Sequence, residues 1–422
     1  MSMSRAGIVN FGLRALTQLG RLAITLVVAR VLGIADLGLY RVFSIYGDYA
    51  RQLNGLSFHT YIVRELHTHD RENWPSVFAW TAKFHIRFSF VGLVFWLVLF
   101  VAGVLPWWTA IAFFLTVAID IFNTTIENYL VAAGHAIAAG FTLFIRQALW
   151  VYVLVGWVLL ANHSLDFKTI LISWVSGCAL ALSIALAFLF RYRLAATTNL
   201  TPAPEGWEKR GIKTGSLFTF VGLLLYVVTT SPTLLLGMFR GEAEVGILSF
   251  FFTAFSTVGT LVYASVIAIA TPALLSTQAS GDTEARERIY ANAVKRSVLV
   301  TVVLTCLAAL LLPLLIRIVD QPELNAHQLV ALLCAVGGVT FSLVQLPYLR
   351  LYILGEDASL LKIVGLSAVV SVLLGIVTCY FFGLTGAAVS LIANHMIAGL
   401  LLWQKSRSLP PDYRGHSREL TQ

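Results

Sequence analysis

The chain predicts an all-α polytopic membrane protein, with about 12 transmembrane helices in two parallel six-helix lobes around a central cavity. Three observations carry this. Of 422 residues, 58% are hydrophobic and 12% charged, about half the charged share of a soluble domain. The apolar residues fall into runs of roughly 20, the length that spans the hydrocarbon. A short motif recurs about half a chain later.

The runs lie near 8–32, 37–63, 84–105, 108–132, 139–161, 168–190, 214–238, 245–274, 296–319, 327–353, 359–381 and 384–404. The stretch 74–87 mixes Trp and Phe with Lys83, His85 and Arg87. It predicts an interfacial amphipathic segment ahead of the third span. Between the sixth and seventh runs lies a hydrophilic piece carrying Thr201-Pro202-Ala203-Pro204, a linker by composition. The domains expected are a six-helix lobe over 1–200, a cytoplasmic linker over 201–213, a second six-helix lobe over 214–404 and a cytoplasmic tail over 405–422. The N-terminal run is too long, and too interrupted by arginine, for a cleavable signal.

Loop charge sets the orientation. Arg5, Arg64, Arg71, Arg191, Arg193, Lys209, Arg210, Lys213, Arg286, Arg288, Lys295, Arg296, Lys405, Arg407, Arg414 and Arg418 fall in one alternate set of loops. The other set holds little beyond Lys168, Arg240 and Arg317. The positive-inside rule places both termini in the cytoplasm. The net charge of +8 belongs to those loops, and no nucleic-acid partner is expected.

The repeat reads Gly33-Ile34-Ala35-Asp36-Leu37-Gly38-Leu39 and then Gly241-Glu242-Ala243-Glu244-Val245-Gly246-Ile247. Both copies join the first two spans of a six-span set. An even number of spans per copy makes the repeats parallel. The glycines permit a tight turn, and the acid beside Gly38 or Gly246 can cap the next helix.

Charge within the spans is confined to the first half. Arg14 and Arg21 lie on the first span, Asp48 and Arg51 on the second, Asp120 and Glu127 on the fourth and Arg146 on the fifth. Under the repeat, Arg14, Arg21, Asp48 and Arg51 correspond to neutral Gly222, Thr229, Ser256 and Gly259. A buried arginine costs about 2.5–3.5 kcal/mol on insertion scales, so these side chains must face the bundle interior or a wet cavity. Arg14 and Arg21, seven apart, share a helix face, as do Asp120 and Glu127. Simple pairing into Arg–acid bridges is one reading. The other counts four arginines against three acids, with Lys83 and Arg87 added at the cytoplasmic mouth, and expects a cationic cavity. Guanidinium forks suit phosphate or pyrophosphate, which makes Arg14, Arg21, Arg51 and Arg146 candidate head-group ligands. Asp48, Asp120 and Glu127 are candidate coupling or charge-balancing groups.

Smaller features read structurally. Cys178, Cys306, Cys334 and Cys379 sit in apolar runs and read as small buried hydrophobes. His67 and His69 read as a solvated loop. Pro232, inside Thr229-Thr230-Ser231-Pro232-Thr233, is the best hinge candidate. No nucleotide loop of the form G-x-x-x-x-G-K-[ST] occurs, and no enzyme is expected.

Ala29-Arg30-Val31-Leu32-Gly33 followed by Leu37-Gly38-Leu39-Tyr40, with Gly20 before it, resembles the signature ending the first span of Wzx-type O-antigen flippases. These form the polysaccharide transport branch of the multidrug/oligosaccharidyl-lipid/polysaccharide exporter superfamily. Leu37 stands where that family usually has Tyr or Phe. The resemblance implies a flippase that moves a polyprenyl-pyrophosphate-linked oligosaccharide from the inner to the outer leaflet. It implies membrane lipid, a polysaccharide polymerase and chain-length machinery as partners. It implies no cofactor, with a proton or sodium gradient as the candidate driving force. Arg14, Arg21 and Arg51 occupy places comparable to the cavity arginines of the related lipid II flippase. The alternative is a multidrug or organic-ion antiporter of the same fold, which would want an acid-rich cavity without arginines. A membrane-embedded polysaccharide-processing enzyme is a further alternative, disfavoured by the short outer loops.

Overall fold

The computed structural model describes residues 5–59, 61–62, 66, 71–161, 165–195 and 200–410. Among these there is no strand. Helix α1 spans Arg5–Val31 and α2 Ile34–Gly55. Helix α3 spans Trp74–Trp96 and α4 Ala110–Ala132. Helix α5 joins Ala136–Phe144, a π-helical turn Ile145–Leu149 and Trp150–Ala161. Helix α6 spans Phe167–Arg191 and α7 Trp207–Arg240. Helix α8 starts at Glu242–Val262 and continues through a second π turn, Tyr263–Ile267, into Ala268–Ser280. Helix α9 spans Thr283–Val319 and α10 Gln328–Ile353. The helix Asp357–Ser408 breaks at Gly383, where φ is 52° and ψ −130°; its arms, 357–382 and 384–408, are α11 and α12.

Ten helices among the described residues are long and apolar enough to cross a membrane, with α11 and α12 forming one of them. Helix α2 is long enough, at 22 residues, but Asp36, Arg41, Asp48 and Arg51 dilute it. These helices follow the apolar runs that the sequence predicts, and they mark a multi-pass membrane protein.

The chain divides into two compact units. The first comprises Met1–Ile24 and Phe43–Leu223, the second Thr25–Val42 and Leu224–Gln422.

In the first unit α4 packs on α5 and α6. Helix α1 lies along α5: Gly20 abuts Ala148 with no room for a side chain, and the Tyr152 hydroxyl donates to the Leu16 carbonyl at 2.7 Å. The stretch 74–87 is not an interfacial prelude. It is the first half of α3, and Trp74, Trp80 and Phe84 are buried with Phe58, Tyr61 and Tyr129 in one aromatic cluster. Such rings bury about 150–250 Å² each, more than an interfacial seat would cover. Trp207 is only 1% exposed in that cluster. The residues 207–213 are therefore the start of α7, anchored by an indole, and not extended linker.

In the second unit the two copies of the repeat motif meet. Gly33 and Gly241 take positive φ, 104° and 87°, at the turns. Gly38 and Gly246 do a different job from the expected turn. A Cβ on Gly38 would strike the Glu242 carbonyl, and one on Gly246 the Ile34 carbonyl. The contact is reciprocal, helix backbone against helix backbone. The acids do not cap: Gly241 is the N-cap of α8 and makes no side-chain bond, while Asp36 and Glu244 lie in first turns, where helix dipoles favour a negative charge. Helix α10 packs on α8 and on the α11–α12 helix. Cys178, Cys334 and Cys379 are buried, as the apolar reading expects, but Cys306 is exposed, because the most apolar stretch of α9 is only 6% buried.

Candidate cargo and coupling site

The span charges of the first unit collect into one web. Asp48 and Arg51, three apart on α2, share a face. Arg51 holds Asp48 at 2.7 Å and Asp120 at 3.4 Å. On α4, Asp120, Thr124 and Glu127 follow at helical spacing and look the same way. Arg146 receives them from α5. Its Nη1 donates to Asp120 Oδ1 at 3.2 Å and to Thr124 Oγ1 at 2.8 Å; its Nη2 donates to Glu127 Oε2 at 2.9 Å.

Arg146 lies in the π turn Ile145–Leu149. A π turn carries an extra residue and re-aims the side chains around it, a device common at functional sites. Burial is deepest here: the Arg146 side chain is 5% exposed and that of Glu127 11%. At the other end Asp48 is 36% exposed, so the web grades from closed to open. Two arginines thus hold three carboxylates. Glu127 Oε1, Arg146 Nε and Asn123 Oδ1 are buried there without a hydrogen-bond partner. Asn123 is otherwise tied to the Cys178 carbonyl at 3.0 Å.

Asp48 and Asp120 also front a cavity of about 10 Å³ shared with Ser44, Gly47 and Thr116. That is about the space of a single water. It would admit a water or a small bare cation, and it is too small for a pyrophosphate.

The other site residues predicted from sequence are placed as follows. Arg14 is half-buried on α1, makes no ion pair among the described residues, and lies within electrostatic reach of Glu127. Arg21 is exposed on α1. Lys83 is exposed on α3, and Arg87 pairs with Glu208 at 3.3 Å on the surface. Pro232 is buried inside α7, which runs through it unbroken; its carbonyl accepts from the Cys379 thiol at 3.6 Å. A non-helical break lies at Gly383, between the last two apolar runs. His67 and His69 fall outside the described residues. No group of three or more His, Cys, Asp or Glu among the described residues could hold a metal ion.

Sequence reasoning missed Thr124 and Asn123. The signal for Thr124 was available: it sits between Asp120 and Glu127 on one α4 face. Nothing local marks Asn123, whose role depends on a carbonyl 55 residues away.

No family model matches the chain, and a search of curated proteins finds no match. Solved structures do match. An inward-facing multidrug resistance MATE family transporter of the MOP superfamily superposes with a TM-score of 0.72 at 14% identity, covering 95% of this chain and 97% of that one. A MATE in complex with MaD3S gives 0.67 at 14%, over 96% and 94%. An outward-facing MATE family transporter gives 0.63 at 14%, over 96% and 94%. The fold is that of the MATE transporters, over almost the whole of both chains.

Proposed function

We propose that this chain is a membrane transporter that moves an organic ion by alternating access, in exchange for a proton that loads at the Asp48–Asp120–Glu127 carboxylates. One observation carries the reading. Both central arginines are engaged by carboxylates, and the space beside them is the size of a water. An anionic head group finds no vacant guanidinium fork there, whereas a proton finds acids and orphaned oxygens. The shared fold supports the transport mode, since its solved members include inward-facing and outward-facing forms. Arg51 and Arg146 then act as fixed counter-charges to the three acids. The location consistent with this is a bacterial inner membrane, with both termini cytoplasmic.

The test is accumulation of a fluorescent organic cation by cells expressing the chain. Asp120→Asn and Asp48→Asn should abolish efflux at normal protein levels. Full efflux in both variants would remove the carboxylates from the mechanism.

A second reading, the lipid-linked oligosaccharide flippase, is favoured by Arg14, half-buried on α1 and in no ion pair among the described residues. On that reading Arg14→Ala and Arg21→Ala abolish surface polysaccharide while organic-cation efflux is absent from the parent protein. Wild-type polysaccharide in both variants would defeat it.

A further inference from the structure

The second unit contains a cavity of about 700 Å³, far from water-sized and within the range of small-molecule sites. It lies between the C-terminal end of α9, the short helix Pro322–Ala326 and the start of α10. Phe255 of α8 forms its floor. The lower wall is apolar, with Leu312, Ile316, Leu332 and Ala335. Pro313 also lines it and lacks an N–H, so the Ala309 carbonyl in the same wall loses its helical donor.

The rim is polar: Arg317, Asp320, Asn325 and Gln328. Arg317 and Asp320 are exposed, three residues apart, and neither forms an ion pair among the described residues. The tip of α9 is pinned. Arg30 Nη1 donates to the Ile318 carbonyl at 3.0 Å, and Gln321 Nε2 donates to the Ala29 carbonyl at 3.2 Å. Below the tip α9 is nearly bare, so no neighbouring helix fills the cleft.

We infer that this cleft binds a zwitterionic phospholipid bearing a primary amine. The rim offers one cation and one anion, three residues apart and in no ion pair among the described residues. That pattern matches a phosphate and an ammonium on one short head group. A purely anionic head would meet Asp320, and a quaternary ammonium could not donate hydrogen bonds to it. Arg317 takes the phosphate through its guanidinium fork, Asp320 takes the amine, and the Asn325 and Gln328 amides reach the glycerol esters. The acyl chains follow the apolar wall and leave along bare α9. The orientation predicted by loop charge puts this end at the outer leaflet.

The full chain in detergent, offered equal phosphatidylethanolamine, phosphatidylcholine and phosphatidylglycerol, can be read by native mass spectrometry. Phosphatidylethanolamine should be retained about fivefold over either competitor, the equivalent of one ~1 kcal/mol hydrogen bond. Asp320→Asn should make phosphatidylglycerol equal to phosphatidylethanolamine. Arg317→Gln should lose both, and Leu312→Trp should block the cleft to all three. Both rim residues are exposed, so those variants should elute and melt like the parent, and they decide the matter if Leu312→Trp misfolds. Equal retention of the three lipids by the parent, preference for phosphatidylglycerol or phosphatidylcholine, or unchanged selectivity in both rim variants would overturn the inference.

Discussion

On α2 of the first unit stand Asp48 and Arg51; at the repeat-related places on α8 of the second stand Ser256 and Gly259. In the first unit those charges join Asp120, Glu127 and Arg146 in a partly buried web. In the second, helices close on each other through glycine, at Gly38 and Gly246 and again where Gly338 meets Phe255. Its ion pairs, such as Arg350–Glu287 and Lys405–Glu356, sit at helix ends. Two copies of one plan have thus been stabilised differently. In lipid, association comes from close packing or from buried polar contacts. The second unit combines the first route with neutral polar contacts, such as Asn394 Nδ2 donating to the Val228 carbonyl at 3.1 Å. The first places ionisable groups at depth, an expense that marks function.

The sharpest way to break this contrast is Arg146→Met. It leaves Glu127 and Asp120 buried without their shared partner, and it should cost about 3–5 kcal/mol, seen as a large fall in melting temperature in detergent. Adding Glu127→Gln should recover part of the loss. An unchanged melting temperature in the single variant would mean that the web does not hold the first unit together. Next in size, Gly246→Val should overpack the seam with the Ile34 carbonyl and destabilise by about 1–3 kcal/mol. Gly38→Val should do the same against Glu242. Unequal losses would show that the reciprocal contact carries weight on one side only.

A smaller effect belongs to the Asp166 N-cap of α6, whose carboxylate accepts from the Thr169 amide at 2.8 Å. Asp166→Ala should cost about 1 kcal/mol. Hydrogen bonds from Thr169 hold this carboxyl below its ordinary value of 3.8. A depressed carboxylate contributes stability above its unfolded pKa and loses it as pH falls. Parent and variant should therefore differ at neutral pH and converge below about pH 3.8, in melts across that range. Smallest of all, Arg87→Ala removes an exposed pair with Glu208 and should shift stability by less than about 1 kcal/mol. A larger loss would give the cytoplasmic mouth a structural role.

Much of this was legible in the chain. The spans followed from apolar run length, and the shared faces of Asp48 with Arg51 and of Asp120 with Glu127 from helical periodicity. The motif repeat was visible, but its purpose was not: the second glycine of each copy serves close approach, which depends on a partner more than 200 residues away. The arginine count suggested a cationic chamber, yet Arg51 and Arg146 proved to be committed to acids. No local pattern announces the π turn that carries Arg146.

By itself the sequence determined that lipid is the solvent, how many times the chain can cross it and which half carries charge at depth. Those are properties of single segments, set by length, hydropathy and the price of burying an ion. Which guanidinium meets which carboxylate, and how much room remains beside them, depended on contacts such as Arg51 to Asp120, 69 residues apart. Only the packed helices decide those, because a side chain's partner is chosen by geometry across helices and not by its neighbours along one.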